Sequence, residues 1–162
     1  MRILLALLLL VSLVSGVQSQ GTVDSFEGQV VNLSNEVRQR NGLPSLVANP
    51  YLSRAARSHS EEMARLNFFD HESPTLARRF PWDRVNQAGA DADAISENIY
   101  LAEGYPLPEV PAMAVHSWEV SPQHRHNLLD PAVTSIGVGI AQVGGQIYVT
   151  QVFASPVAAL RQ

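Results

Sequence analysis

Hydrophobic residues recur at helical spacing in two segments of the N-terminal half. Between Phe26 and Arg40 they lie three and four positions apart, which is the period of an amphipathic helix. A second helix is predicted to begin at Pro50 with Asn49 as its cap, because proline fits the first turn, where no N–H donor is needed. Each helix has one apolar face, so both are expected to pack against another layer.

Strict alternation of residues predicts a β-hairpin near the C-terminus. Residues 135–141 alternate small with apolar side chains, and residues 147–153 return after a turn at Gly144-Gly145. Residues 95–100 alternate well enough for a further strand, and a short helix is predicted from Pro81 to Ala88. Helices early and an antiparallel sheet late predict an α+β fold in which helices cover the sheet.

The segment between residues 117 and 130 combines an aromatic residue, a proline and two histidines. Since Pro122 lacks an N–H group, a helix through Trp118 is predicted to end near Ser121. His124 is then expected on a turn rather than on a regular helix. Loops held by a rigid scaffold carry much of protein function, so His124 is a candidate site residue.

The N-terminus has the pattern of a secretory signal peptide. Arg2 precedes an apolar run over residues 3–10, and small or polar residues 17–19 precede Gln20. The run is shorter than the ~20 residues that a spanning helix needs. The sequence therefore predicts a signal peptide over residues 1–19 and one domain over residues 20–162. The mature protein is expected to be secreted and to have no membrane span.

Composition removes several functional classes. The 162 residues include no cysteine, which excludes disulfides, thiolate metal sites and a cysteine nucleophile. The formal net charge is −4 at pH 7, so there is no electrostatic case for binding nucleic acid or an anionic membrane surface. A chain of this length is sufficient for one domain with a substantial core.

A series of motifs carries a resemblance to a known family. They are Leu33–Arg38 with Leu43-Pro44, His59-Ser60 with Met63, Asn67–Pro74, Asp83–Val85 with Ala88-Gly89, Glu97–Ile99, Trp118 with Ser121–Leu129, and Ile136–Gly139. In this order they resemble the CAP superfamily (cysteine-rich secretory, antigen 5 and pathogenesis-related-1 proteins) in its cysteine-free bacterial SCP-like form. The resemblance covers nearly all of the predicted mature chain. It implies an α-β-α sandwich with a small antiparallel sheet covered by helices.

The resemblance also implies a cleft, whose floor in classical members holds two histidines and two glutamates. His71, Glu97 and His124 fall on matching positions of this sequence. Ser121 stands where classical members have the second glutamate, and Glu119 directly follows the helix tryptophan. The predicted ligand cleft therefore comprises these five residues, and no catalytic residue is assigned.

The residue types at this cleft leave three interpretations open. His71, His124 and Glu97 could supply a catalytic zinc set, with water in the fourth position. Without a metal, Glu97 could orient an imidazole that moves a proton. In the third interpretation the groups are structural, with each histidine at a turn and Glu97 accepting backbone hydrogen bonds. Serines near these histidines lie in turn-forming sequence, so no nucleophile is assigned, and binding is favoured over enzymatic activity without excluding it.

The sequence thus predicts a secreted CAP-domain protein whose cleft binds an extracellular ligand, such as a lipid or another envelope component. One alternative is a metal-dependent hydrolase that uses the same cleft. Another is an interaction protein that acts through its outer surface. Among the remaining residues, His59 lies on the apolar face of the second helix and is predicted to be a core histidine. Trp118 and Trp82 are predicted in the core or the cleft wall.

Overall fold

A computed structural model describes residues 25–156. The predicted signal peptide lies outside the described residues. The helices are α1 (25–40), α2 (Pro50–Leu66), α3 (Pro81–Ala88), α4 (Val110–Val120) and α5 (Pro122–Leu128), with short 3₁₀ turns at Leu76–Arg78 and Leu107–Glu109. The strands are β1 (Val47–Ala48), β2 (Ile95–Glu103), β3 (Ser135–Val143) and β4 (Gln146–Ala154). Within residues 25–156, no helix combines the length and apolar character needed to cross a membrane.

The four strands form one sheet in the order β1-β3-β4-β2. β3 and β4 form the predicted antiparallel hairpin, β2 pairs antiparallel with β4, and the short β1 pairs parallel with β3. Strand β2 therefore lies at an edge of the sheet, with Glu97 opposite Val152. Because directly paired residues share a face, the Glu97 side chain lies on the same side of the sheet as Val152, which packs against α2 and α3.

Helices cover both faces of the sheet, as the α+β prediction requires. Helices α1, α4 and α5 pack on one face, around Trp118 and Phe153. Helices α2 and α3 pack on the other, around Leu52 and Val152. Alternate residues of β4 point to opposite faces, so this strand contributes to both layers of the core. The predicted fold class is confirmed.

Two glycines of β3 bring α2 unusually close to the sheet. A Cβ atom added at Gly139 would overlap the backbone of Arg57, and one at Gly137 would overlap the backbone of Leu52. The Ser60 hydroxyl donates a hydrogen bond to the carbonyl oxygen of Gly139 at 2.9 Å. The alternation of small and apolar residues along β3 thus gives α2 a surface without side chains to lie on.

The helical predictions hold except around Pro122. Helix α2 begins at Pro50, with the Asn49 side chain accepting from the first-turn backbone N–H groups, and α4 ends at Val120 as predicted. The prediction that His124 lies on a turn is wrong, because a new helix, α5, begins at Pro122 itself. Proline interrupts a preceding helix but suits the first position of a following one, so it separates two helices here.

Candidate functional site

The candidate site is centred on the Glu97 carboxylate. Its side chain is only 2% exposed and lies between β2 and the helices α2 and α3. His71 Nδ1 is 2.9 Å from Glu97 Oε1. From helix α3, Arg84 Nη2 donates to both carboxylate oxygens of Glu97, at 3.0 Å and 2.8 Å. A strand, a loop and a helix therefore each contribute one charged or polar group.

These contacts fix the protonation of the pair. Burial by itself would raise the pKa of Glu97, but the hydrogen bond from His71 and the charge of Arg84 outweigh it and lower the pKa below its usual value. Glu97 is therefore ionised at neutral pH. Because an ionised carboxylate only accepts hydrogen bonds, the shared proton lies on His71 Nδ1. The His71 side chain is 41% exposed, so its Nε2 edge is available to a ligand.

Arg84 also holds the loop that carries His71. Its Nη2 group donates to the carbonyl oxygen of His71 at 3.1 Å, and its Nη1 group donates to the carbonyl oxygens of Arg78 and Arg79 at 3.2 Å and 3.1 Å. The Arg84 side chain is 2% exposed. One buried guanidinium therefore fixes both the carboxylate of Glu97 and the backbone from which His71 projects.

His59 lies beneath the same carboxylate. Its side chain is fully buried on α2, as predicted for a core histidine, and its Nε2 atom is 2.9 Å from the carbonyl oxygen of Asp70 and 3.9 Å from Glu97 Oε1. Burial lowers the pKa of His59 to about 4, so the ring is neutral at neutral pH. The buried cluster of Glu97, Arg84 and His59 then carries one negative charge, on Glu97, and one positive charge, on Arg84.

His124 reaches this region from α5. Its Nδ1 atom is 2.9 Å from the hydroxyl of Ser121, the residue that precedes the helix. Burial and the nearby charge of His71 lower the pKa of His124. Asn98, next to Glu97 on β2, donates to the carbonyl oxygen of His124 at 3.2 Å, which ties α5 to the site strand.

Not every predicted cleft residue lies at this cluster. Direct contacts join His71 to Glu97 and His124 to Ser121. Glu119 instead faces α1, where its carboxylate is 3.3 Å from Arg40 Nη2. We therefore leave Glu119 out of the proposed site.

The three predicted zinc ligands do not form a recognisable metal-binding group within the part of the chain that the structure describes. Among residues 25–156, no group of three or more His, Cys, Asp or Glu side chains is arranged to hold a metal ion. Both oxygens of Glu97 already accept hydrogen bonds from Arg84. His71 and His124 each use the Nδ1 atom in the hydrogen bonds described above. Their Nε2 edges therefore remain for a ligand. The zinc assignment itself stays a prediction.

Sequence reasoning missed Arg84 and the position of His59 against Glu97. The sequence did carry a signal for Arg84, because it stands four residues before Ala88 and so shares the buried face of α3. An arginine on the buried face of a short helix indicates a buried partner. Which carboxylate that partner is depends on β2, and no local pattern specifies it.

The loop after His71 is anchored to α2 and borders an open cavity. Glu62, buried on α2, accepts hydrogen bonds from the hydroxyls of Ser73 at 2.8 Å and Thr75 at 2.6 Å. The adjacent cavity has a volume of about 400 Å³ and is lined by Phe68, Asp70, Glu72, Ser73, Pro74, Leu76 and Arg79. The cavity is thus formed by the same loop that carries His71, although the His71 side chain does not line it.

Comparisons with known proteins agree with the fold and motifs. The family model CAP, cysteine-rich secretory protein family, matches residues 31–153. The uncharacterized protein YkwD of Bacillus subtilis (strain 168) is 39% identical over 123 residues, which are 76% of this chain and 45% of that protein. The uncharacterized membrane protein YlbC of the same strain is 33% identical over 114 residues, 70% of this chain and 31% of that protein. The chain thus spans less than half the length of either relative.

Similar solved structures include two bacterial surface or extracellular proteins. An extracellular protein containing a SCP domain from Bacillus anthracis has a TM-score of 0.70 and 30% identity, over 82% of this chain and 41% of that one. An outer surface protein from Borrelia burgdorferi has a TM-score of 0.67 and 19% identity, over 82% of this chain and 93% of that one. The second likeness concerns the fold alone.

Proposed function

Because the chain belongs to the cysteine-rich secretory protein family, we propose that it acts as an extracellular or envelope binding protein whose ligand contacts His71 and His124. The observation that carries this proposal is the pairing of an exposed His71 ring with the buried Glu97 carboxylate at 2.9 Å. The extracellular protein from Bacillus anthracis that contains a SCP domain, at 30% identity, supports the location.

The arrangement suits binding because the reactive edge is held in place before a ligand arrives. A second hydrogen bond on the far side of an imidazole fixes its tautomer and its orientation. Here Glu97 supplies that bond, and Arg84 balances the charge of Glu97 within the protein. The outward groups are two polar imidazole edges, which accept or donate hydrogen bonds. We therefore propose a polar ligand with hydroxyl or amide groups, such as the glycan and peptide of a bacterial cell wall.

A second candidate function follows from the same contact. A buried carboxylate on Nδ1 with an outward Nε2 is the geometry of a general base, which takes a proton from an attacking group. The attacking group would be water, since no serine is assigned as nucleophile. In this version the site hydrolyses the polymer it binds, and no step requires a metal.

Sedimentation with purified bacterial cell-wall sacculi tests the binding proposal. The mature protein is expected to sediment with sacculi in the presence of EDTA, and the double variant His71→Ala, His124→Ala is expected to lose at least tenfold in apparent affinity. His116→Ala removes an exposed histidine on α4 and serves as the matched control, with unchanged binding. Release of soluble fragments from the sacculi would support the hydrolase version.

Two results would overturn the binding proposal. Failure of the wild type to bind sacculi would remove the proposed ligand class. Equal binding by the wild type and the double variant would show that the outer surface, rather than the cleft, carries the interaction. Phosphatidylglycerol vesicles in a parallel assay test the lipid alternative, and retention on vesicles instead of sacculi would replace the proposed ligand with a lipid surface.

A further inference from the structure

Arg84 occupies the position that a bound cation would take beside Glu97. Its Nη2 nitrogen lies 2.8 Å from one carboxylate oxygen, 3.0 Å from the other and 3.1 Å from the carbonyl oxygen of His71. Three oxygens around one positive group form the kind of cradle that a hard metal ion binds. Here the positive group is a side chain of the protein.

The charges of the cluster leave nothing for a divalent ion to neutralise. Glu97 is negative and Arg84 is positive, and their nearest side-chain atoms are 2.8 Å apart. Bringing a doubly charged ion into this balanced, buried cluster would add uncompensated positive charge beside a guanidinium. Burial makes that cost larger, because both the Glu97 and the Arg84 side chains are 2% exposed.

The hydrogen bonds of Glu97 also argue against a metal ion on this carboxylate. Its two oxygens accept from Arg84, and Oε1 also accepts from His71. A metal ion could use this carboxylate only by displacing Arg84, which would then be a buried cation without its partner. Arg84 has little freedom to move aside, because the carbonyl oxygens of Arg78 and Arg79 hold its other terminal nitrogen.

We propose that Arg84 is the built-in cation of this site and determines its ion specificity, by occupying Glu97 so that the site works without a divalent metal. The inference deepens the proposed function, since it concerns the same cluster, but it makes a separate prediction. Removing the guanidinium should create a metal site, because it leaves a buried carboxylate beside the His71 imidazole with no positive partner.

Calorimetric titration of Zn²⁺ into metal-stripped protein tests the proposal. We expect the wild type and Glu97→Gln to have equally weak zinc affinity, because Glu97 is not a ligand while Arg84 is present. Arg84→Met should bind one zinc ion at least tenfold more tightly than the wild type, and Arg84→Met with Glu97→Gln should lose that gain. The control is Arg79→Met, which removes an exposed arginine of the same loop that pairs with Glu72, and it should leave zinc affinity unchanged.

Two zinc measurements can each contradict the proposal. One-to-one zinc binding by the wild type, whether or not Glu97→Gln loses it, would overturn the proposal, because the site would then take a divalent metal with Arg84 in place. This measurement needs no Arg84 variant, so it stands even if Arg84→Met fails to fold. A folded Arg84→Met without a gain in zinc affinity would also overturn it. Neither result depends on sacculi, so failure of this inference and failure of the binding proposal are distinguishable.

Discussion

Replacing Arg84 with methionine should destabilise the protein because it isolates the buried Glu97 carboxylate. Removing one partner of a buried ion pair costs about 3–5 kcal/mol, since the remaining charge has lost its compensation. Glu97 is 2% exposed and accepts two of its hydrogen bonds from Arg84, so it meets the conditions for that range. A domain of this kind has about 5–15 kcal/mol of stability in total, so the variant should fold but with a much smaller margin.

A double-mutant cycle separates the pair from the general effect of mutation. Glu97→Gln alone leaves the Arg84 charge buried, whereas Arg84→Met with Glu97→Gln removes both charges. The free energy lost by the double variant should therefore fall short of the sum of the two single losses by about 2–3 kcal/mol. Urea unfolding at pH 7, monitored by tryptophan fluorescence and circular dichroism, gives the three differences.

The pH dependence of the free energy of unfolding provides a second, independent test of this ion pair. In the wild type the pKa of Glu97 is lowered, so its contribution is present above the unfolded value of about 4.3 and is lost as the pH falls through the folded pKa. Without Arg84, burial should raise the pKa of Glu97, and protonation then relieves the penalty as the pH falls. The gap between wild type and Arg84→Met should thus narrow from pH 7 to pH 5. Additive losses within about 0.5 kcal/mol, together with a constant gap, would refute this reasoning.

Three further predictions concern the scaffold around the site. Gly139→Ala should cost about 3 kcal/mol or more in urea unfolding because its Cβ overlaps the α2 backbone, whereas Gly28→Ala, on a helix with open space, should gain about 0.5–1 kcal/mol; equal effects would contradict the close packing. The wild type should lose about 3 kcal/mol of stability between pH 6.5 and pH 4 through His59, because burial lowers the pKa of His59 to about 4 in the folded protein. His59→Gln should lack this loss, and parallel pH profiles of unfolding for the two proteins would contradict this. Glu62→Gln should speed amide hydrogen exchange around Ser73 about tenfold, since it replaces one accepting oxygen with a donor, and unchanged exchange would argue against anchoring by Glu62.

Much of the fold was predictable because its determinants are local. Asn49 and Pro50 specify the start of α2 through their own backbone chemistry, and the glycine pair at residues 144–145 specifies the hairpin turn. Alternation along β3 and β4 predicted both strands, and helices with one apolar face had to cover a sheet. The prediction that His71, Glu97 and His124 share one cleft did not follow from spacing. It came from the order of motifs shared with a family.

The tertiary structure alone decided which buried side chains contact one another at the site. Arg84 and Glu97 lie on a helix and a strand that pack together only in the folded protein, and His59 reaches the same carboxylate from a third element. Periodicity reports which face of an element is buried, but it does not report which buried groups meet. The energy of a buried charge depends on that meeting, because only a partner within hydrogen-bond distance offsets the loss of water. The sequence therefore determined the layers and the candidate residues, while the packing of α2, α3 and β2 made Arg84 the partner of Glu97.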